Sequence, residues 1–227
     1  MTEKRQQVKR IFDSISGSYD FLNHFLSAGI DYYWRYKALK MTGINKYSSV
    51  LDIASGTGDF AIAACKYKPE NIFGADLSAN MLKVFNSKAK WSIGKTVQMA
   101  CEFLPFKNNS FTNVTVAFGV RNFYDLKTSF SNIYRIILPG GKFTILEFKL
   151  PENVFIRWVY LFYFQNILPL LGRMVSKNKE AYTYLPDSVK KFYEEINLPE
   201  LLKTSGFKSI VCKSLTFGIV QVIIASK

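Results

Sequence analysis

The sequence predicts an α/β fold built on a doubly wound, mostly parallel sheet, and three observations carry that prediction. Apolar segments of strand length alternate with segments of helical periodicity between about residues 48 and 148. At the first junction, residues 48–60 (SSVLDIASGTGDF), a strand turns into a helix through two glycines, the form of a nucleotide-binding corner. Two further apolar segments, Lys208 to Lys213 and Gly218 to Ala225, read as two closing strands. At 227 residues the chain has the length of one domain, and no repeat or low-complexity linker divides it.

Each element has its own signal. Val8, Ile11, Phe12 and Ile15 recur at helical spacing, and the other face of that helix carries Lys4, Arg5, Lys9 and Arg10. Ser16-Gly17-Ser18 ends it. Tyr19 to Gly29 turns Leu22, Phe25 and Leu26 inward, and Asp31-Tyr32-Tyr33-Trp34-Arg35 follows, so residues 1–45 form an aromatic helical cap. Val50, Leu51 and Ile53 make the first strand. Pro69 and Gly74 punctuate the second, and Ser78 caps a helix containing Met81, Leu82 and Phe85. Thr96 to Ala100 and Phe111 to Phe118 read as the third and fourth strands. Leu126, Phe130, Ile133, Tyr134 and Ile137 repeat at helical spacing, and Pro139-Gly140-Gly141 stops that helix before a fifth strand, Lys142 to Phe148. With these, residues 46–150 make up the core.

Residues 151–195 form an insertion whose stretch 154–175 is almost wholly apolar. Arg157, Gln165, Asn166 and Pro169 leave its uninterrupted run short of the roughly 18 to 20 residues a spanning helix needs, so a buried or interfacial helix is expected. In the closing segment, 196–227, Leu198 to Ser205 is helical and Gly206 caps it.

Composition narrows the partners. The net charge of +13, from 30 basic and 17 acidic residues, draws the protein to polyanions, either nucleic acid or an anionic membrane. At such a membrane each basic residue contributes about 1 kcal/mol, so a few on one face suffice for transient docking. Cys65, Cys101 and Cys212 lack CxxC spacing and His24 is the sole histidine, which argues against a metal site and for a reducing compartment. Met1 to Arg10 is charged and lacks the apolar core of a signal peptide. The expected location is the cytoplasm, with contact at the inner face of its membrane.

The glycine corner leaves two cofactors open. Gly56-x-Gly58-x-x-Ala61 fits a dinucleotide fingerprint, and a nicotinamide or flavin enzyme stays in play. Asp52, at the end of the first strand, would repel a pyrophosphate and welcome a sulfonium cofactor with its amino group. Eighteen positions after Gly58, Asp76 closes the second strand and is suited to accept both ribose hydroxyl protons, which either nucleotide would use.

Asp52, Gly56, Gly58 and Asp76 together resemble the first two motifs of class I S-adenosylmethionine-dependent methyltransferases, whose sheet likewise closes with an antiparallel strand. Later segments narrow the resemblance to the ubiquinone/menaquinone biosynthesis C-methyltransferase family. They include Tyr19-Asp20-x-Leu22-Asn23, Gly29-x-Asp31-x-x-Trp34-Arg35, Phe118-Gly119-Val120-Arg121-Asn122, Leu138-Pro139-Gly140-Gly141 with Leu146-Glu147-Phe148, and Tyr182-x-Tyr184-Leu185. The similarity runs from about residue 8 to the C-terminus.

The resemblance implies methyl transfer from S-adenosylmethionine to a ring carbon of a polyprenylated quinol. It places the cofactor at Asp52, Ala54, Gly56, Thr57, Gly58, Asp76, Leu77, Ala100, Cys101 and Ala117. Asp31 stands where ubiquinone-type relatives often have histidine, which favours a naphthoquinol, demethylmenaquinol, over a benzoquinol. Ala100-Cys101 departs from the family's Asn/Asp-containing pair, so backbone groups would have to read the adenine there.

An aromatic carbon attacks a methyl group only when a ring hydroxyl has given up its proton, so the reduced quinol is the expected acceptor. Arg121 is the expected phenolate stabiliser, with Asn122 and Tyr19 orienting it directly or through a water. His24 lies among apolar residues and is read as packing rather than as a base. A nucleic-acid methyltransferase fits the charge but lacks an Asn/Asp-Pro-Pro-aromatic segment after strand four, so nucleic acid is not the expected substrate. A quinone or lipid carrier fits residues 154–175. There the insertion and the cap would make a channel for the prenyl tail, with Arg157, Arg173, Lys177 and Lys179 touching phospholipid. The sequence admits a homodimer without specifying one.

Overall fold

The computed structural model describes residues 3–167 and 179–227, with the side chains of 179–183 left aside. One seven-stranded sheet organises the chain, in the order β3-β2-β1-β4-β5-β7-β6. The strands are β1 (Ser49–Ile53), β2 (Asn71–Asp76), β3 (Thr96–Gln98), β4 (Phe111–Ala117), β5 (Ile137–Phe148), β6 (Ser209–Leu215) and β7 (Val220–Ser226). Neighbouring strands from β3 to β5 pair in parallel, and β7 pairs antiparallel to both β5 and β6. The expected doubly wound sheet with an antiparallel C-terminal strand is therefore present.

Three helices precede the sheet: α1 (Glu3–Ile15), α2 (Tyr19–Leu26) and α3 (Ile30–Thr42). α1 buries Val8, Ile11 and Ile15, as its spacing predicts. The crossovers are α4 (Asp59–Ala64), α5 (Ala79–Lys88) and α6 (Leu126–Ile136), followed by α7 (Val154–Phe162), α8 (Lys179–Glu195) and α9 (Leu198–Thr204). Ser78 caps α5 by accepting from the Met81 N–H, Asp125 caps α6 through Thr128, and Asn197 caps α9 through Glu200. α7 runs on into a single π turn, Tyr163–Ile167. The rest of the apolar stretch, including Pro169 and Arg173, lies outside the described residues, as do Lys177 and the side chain of Lys179. Among those described, no helix is long and apolar enough to cross a membrane.

Two boundaries differ from the sequence reading. Ile137 belongs to β5 rather than α6, and Pro139-Gly140-Gly141 sits inside that strand as an irregularity. The register shows why: Phe111 pairs with Ile137, but Asn113 pairs with Lys142. The extra residues bulge out, and a Cβ on Gly141 would stand 2.7 Å from the Thr112 carbonyl oxygen. Glycine is needed there for close approach, not to end a helix. The third strand stops at Gln98, before the predicted Ala100.

Phe85 of α5 is fully buried and fills space left by two glycines. A Cβ on Gly58 would lie 2.1 Å from its ring, and one on Gly74 2.6 Å. Strand, turn and helix are thus locked by one aromatic side chain. Phe85→Ala should lower unfolding free energy by about 3–5 kcal/mol, and Gly74→Ala by about 1–3 kcal/mol. Denaturant titration checks both, and losses under about 1 kcal/mol for Phe85→Ala would contradict this packing.

Candidate active site

The parallel strands end at a crevice between β1 and β4, where the strand order reverses. Two non-glycine residues there take left-handed backbone conformations, Ala54 at φ 52° and Phe118 at φ 57°. Gly119 lets the two loops touch, since a Cβ on it would stand 2.6 Å from that of Ala54. Strain and close approach together shape the floor of the crevice.

A cleft of about 690 Å³ opens from this floor. Ala54, Gly56, Asp76, Leu77, Ala100, Cys101 and Ala117 line it, with Met81, Met99 and Phe123 adding apolar walls. Asp52 and Thr57 line an adjoining smaller cleft of about 350 Å³, together with Arg35 and Asp59. Gly58 lines none of these clefts; its missing Cβ makes room for Phe85 instead. The Cys101 thiol is buried, which pushes its pKa up and keeps it protonated.

Asp52 and Asp76 set the charge here. Asp52 accepts a hydrogen bond from the Thr115 hydroxyl at 2.7 Å, while its Oδ2 is buried with no partner. Burial raises its pKa to about 7, with neighbouring Asp76 adding to the rise. Asp76 accepts from the N–H groups of Gly56 and Ser78, both at 2.8 Å. Burial still raises it to about 6. A cation brought to this crevice would meet two carboxylates that the protein itself leaves short of positive charge.

A second, mostly apolar cleft of about 820 Å³ lies beneath the cap. Leu22, Leu26, Phe148 and Leu185 give it greasy walls, and two buried guanidinium groups, Arg35 and Arg121, stand among them. Tyr19 and Phe118 border all three clefts. Arg121 Nη1 donates to buried Glu147 at 2.7 Å, and its Nε is buried without a partner. Burial alone would lower its pKa, but Glu147 outweighs this and the guanidinium is held charged. Asn122 lines the first cleft, and its Oδ1 accepts from the Tyr184 hydroxyl at 2.8 Å. Burial raises the pKa of both Tyr19 and Tyr184, so each remains a neutral hydroxyl. Tyr19, Arg121 and Asn122 therefore converge where the clefts meet.

The cap is latched by polar contacts as well as by packing. Ser78 donates to Asp13 at 2.5 Å, Arg5 pairs with Glu102 at 3.3 Å, and Lys4 donates to the Phe123 carbonyl at 2.8 Å. So the basic face of α1 reaches over the first cleft rather than only into solvent. Asp20 binds the Thr57 hydroxyl and Lys88, and Lys88 also reaches Asp59 at 2.5 Å. His24 is not simply packed among apolar groups: Nδ1 lies 2.7 Å from Asp31, and Nε2 3.5 Å from Asp59. Sequence spacing could not reveal this cluster, whose members come from α2, α3, α4 and α5. Tyr184 and Glu147 did have a signal, since each lies in a segment shared with the resembling family.

Comparison with known proteins decides the family. A family model described as the ubiE/COQ5 methyltransferase family matches residues 1–227. The chain belongs to this family. It is an S-adenosylmethionine-dependent methyltransferase. A demethylmenaquinone methyltransferase of Bacteroides fragilis is 38% identical, covering 99% of this chain and 94% of its own. A ubiquinone/menaquinone biosynthesis C-methyltransferase of Geotalea daltonii is 39% identical, covering 100% and 99%. Among solved structures, a Haloferax volcanii methyltransferase in complex with the Trm112 activator superposes with a TM-score of 0.66 at 14% identity, covering 95% and 96%. A methyltransferase from Thermotoga maritima gives 0.63 at 18%, covering 96% and 99%. Likeness at this level establishes the fold.

The raised carboxylates have a consequence for the ligand-free methyltransferase. Between their unfolded values near 4 and their folded values of about 6 and 7, the folded state holds more protons than the unfolded chain. Stability from this source is full below about pH 4 and is lost as pH rises through 6 to 7. Thermal melts from pH 4.5 to 8 should show this component, and Asp52→Asn should reduce it. An Asp52→Asn slope equal to that of the parent would contradict the assignment.

Proposed function

We propose that this methyltransferase transfers a methyl group from S-adenosylmethionine to a ring carbon of a polyprenylated demethylmenaquinol, giving the menaquinol. The observation that carries the reading is the apolar second cleft of about 820 Å³, which meets the cofactor clefts at Tyr19 and Phe118 and holds the buried Arg121. The names carried by the Bacteroides fragilis and Chlorobaculum tepidum relatives, the latter 38% identical, support the naphthoquinol side. The Geotalea daltonii name covers both quinones, so C-methylation of a benzoquinol is the second reading.

The residues fit the cofactor. Asp52, with a buried unpartnered oxygen, suits the α-ammonium group, Asp76 suits the ribose, and Leu77, Met99 and Phe123 suit a flat adenine. Ala54, Gly56, Thr57, Ala100, Cys101 and Ala117 complete the walls, while Gly58 acts through Phe85. When bound, the cofactor supplies an electrophilic methyl on a sulfonium centre. The chain's own task is to make the acceptor carbon nucleophilic and hold it in line, and orientation can contribute about 7 to 11 kcal/mol.

In this reading Arg121 faces the ring hydroxyl and stabilises the oxygen as its proton passes to a water in the cleft, and once the methyl has moved from sulfur to carbon the ring carbon gives up its own proton to restore the quinol. Glu147 holds the guanidinium in place and balances its charge. Tyr19 and Tyr184 stay protonated, so each keeps a proton to donate: Tyr184 fixes Asn122, and Tyr19 and Asn122 orient the ring at the junction of the clefts. The cap excludes water above them. Arg157 on α7 and the basic balance of the chain support peripheral contact with an anionic membrane, where the prenylated substrate resides.

Two outcomes test the roles. Arg121→Ala, measured in single turnover with saturating cofactor and quinol, should slow methyl transfer by roughly 10² to 10³ fold, as for loss of one oxyanion donor. An unchanged chemical rate would remove Arg121 from the reaction. Cofactor affinity by calorimetry should rise with pH up to about 7, since the ionised Asp52 is the form that receives an ammonium group. Asp52→Asn should bind weakly and without that pH dependence, and NADH should not bind comparably.

A further inference from the structure

We propose that an apolar edge formed by α7, α2 and the β6–β7 turn inserts into the interfacial layer of an anionic bilayer, beside the acceptor cleft. This deepens the proposed function and rests on it for its purpose, though not for its geometry. On α7 the outward positions are Val154, Phe155, Trp158, Val159 and Phe162, spaced along one helix face, and each is 45–78% exposed. A helix face turned to water is normally polar; this one is wholly apolar. Phe155, Trp158 and Phe162 stack along it, with ring centroids 6.5 and 6.0 Å apart.

Two neighbouring elements extend the edge. Phe21 and Phe25 of α2 stack on each other at 5.7 Å and both are more than half exposed, so Phe25 faces outward and not inward as its spacing predicts. Tyr163 donates to the Leu26 carbonyl at 2.6 Å, tying the end of α2 to the end of α7. In the β6–β7 turn, Thr216 and Phe217 are both left-handed, at φ 47° and 55°, and Phe217 is 79% exposed. Gly218 packs against the Pro151 backbone, so the turn stands beside the start of α7, and Trp34 Nε1 donates to Thr216 Oγ1. The Trp34 hydrogen bond secures Thr216, while the left-handed Phe217 beside it holds its own ring out in water.

Charge and continuity point to a bilayer rather than a second copy. α7 contains no carboxylate and carries Arg157, and two chains of net charge +13 repel each other. Amphipathic helices that lie in a membrane surface combine aromatic and basic residues in this way. Leu22, Leu26, Phe148 and Leu185 line the acceptor cleft and also belong to the cluster that seats Tyr160 and Phe164. One apolar wall thus has the cleft on one side and the exposed edge beyond it. A prenylated ring could pass along it without crossing water.

The test uses the full chain with vesicles of phosphatidylglycerol and phosphatidylcholine. Bilayer-brominated lipid should quench the fluorescence of Trp158, and that quenching should fall most steeply in Trp158→Phe, since the buried Trp34, bonded to Thr216 of the turn, adds only a smaller part and Trp91 packs on Phe85 of α5. A Phe155→Ser, Phe217→Ser variant should lose roughly tenfold in vesicle partitioning, as apolar insertion area shrinks. It should also lose activity on vesicle-borne long-chain quinol while retaining it on a short-chain, water-soluble quinol. Unquenched Trp158, unchanged partitioning of the variant, or a dimer that dissociates when these residues are replaced would overturn the proposal. If the parent methylates neither quinol, the reaction fails while the quenching still reports on the edge.

Discussion

Three carboxylates at the ends of the parallel strands, Asp52 and Glu147 buried and Asp76 half-buried, are the constraint on which the rest of the site depends. An ionised carboxylate is stable away from water only with compensating hydrogen bonds or positive charge. The chain treats the three differently. Glu147 receives the Arg121 guanidinium, Asp76 receives two backbone N–H groups, and Asp52 receives only a hydroxyl. The two left short of charge face the cofactor clefts, and the neutralised pair stands at the acceptor cleft. In the proposed reading the cofactor half of the site is thereby prepared for a cation, and the acceptor half for a forming anion.

This division follows from the fold. Left-handed turns at Ala54 and Phe118 open the crevice at the reversal of strand order, and Gly119 closes its floor. Phe85, wedged against Gly58 and Gly74, fixes the corner that carries Asp52 and Gly56. The cap then encloses the junction through Asp13–Ser78, Arg5–Glu102 and Asp20–Thr57. Those contacts put Tyr19 where all three clefts meet. In the proposed reading, specificity for the acceptor arises from elements added around the sheet, while the sheet itself provides the cofactor crevice.

Much of this was legible in the sequence because it is local. Strand and helix periodicity, the Ser78 cap and the glycine corner involve residues within one or two turns of each other. Pro139-Gly140-Gly141 misled because a bulge inside a strand and a helix stop use the same residue types, and only the register of β4 against β5 distinguishes them. Gly58 reads in sequence as a ligand contact, and the structure adds a packing reason for the glycine, a ring 27 positions away in the chain. His24 looked apolar in sequence, yet its partners Asp31 and Asp59 are brought to it by folding. Long-range pairing of charges has no sequence period, so no pattern could announce it. Tyr184 and Glu147 were visible only as parts of family-like segments, without roles.

The central claim is that the reduced ring, held at Tyr19, Arg121 and Asn122, is the methyl acceptor. Its most direct measurement is to incubate the protein with methyl-labelled S-adenosylmethionine and demethylmenaquinone in reduced and oxidised forms, and to locate the label by mass spectrometry of the extracted quinone. The account predicts label on a ring carbon with the reduced form alone. Label on oxygen, equal labelling of the oxidised form, or none in the presence of bound cofactor and reduced quinol would contradict it.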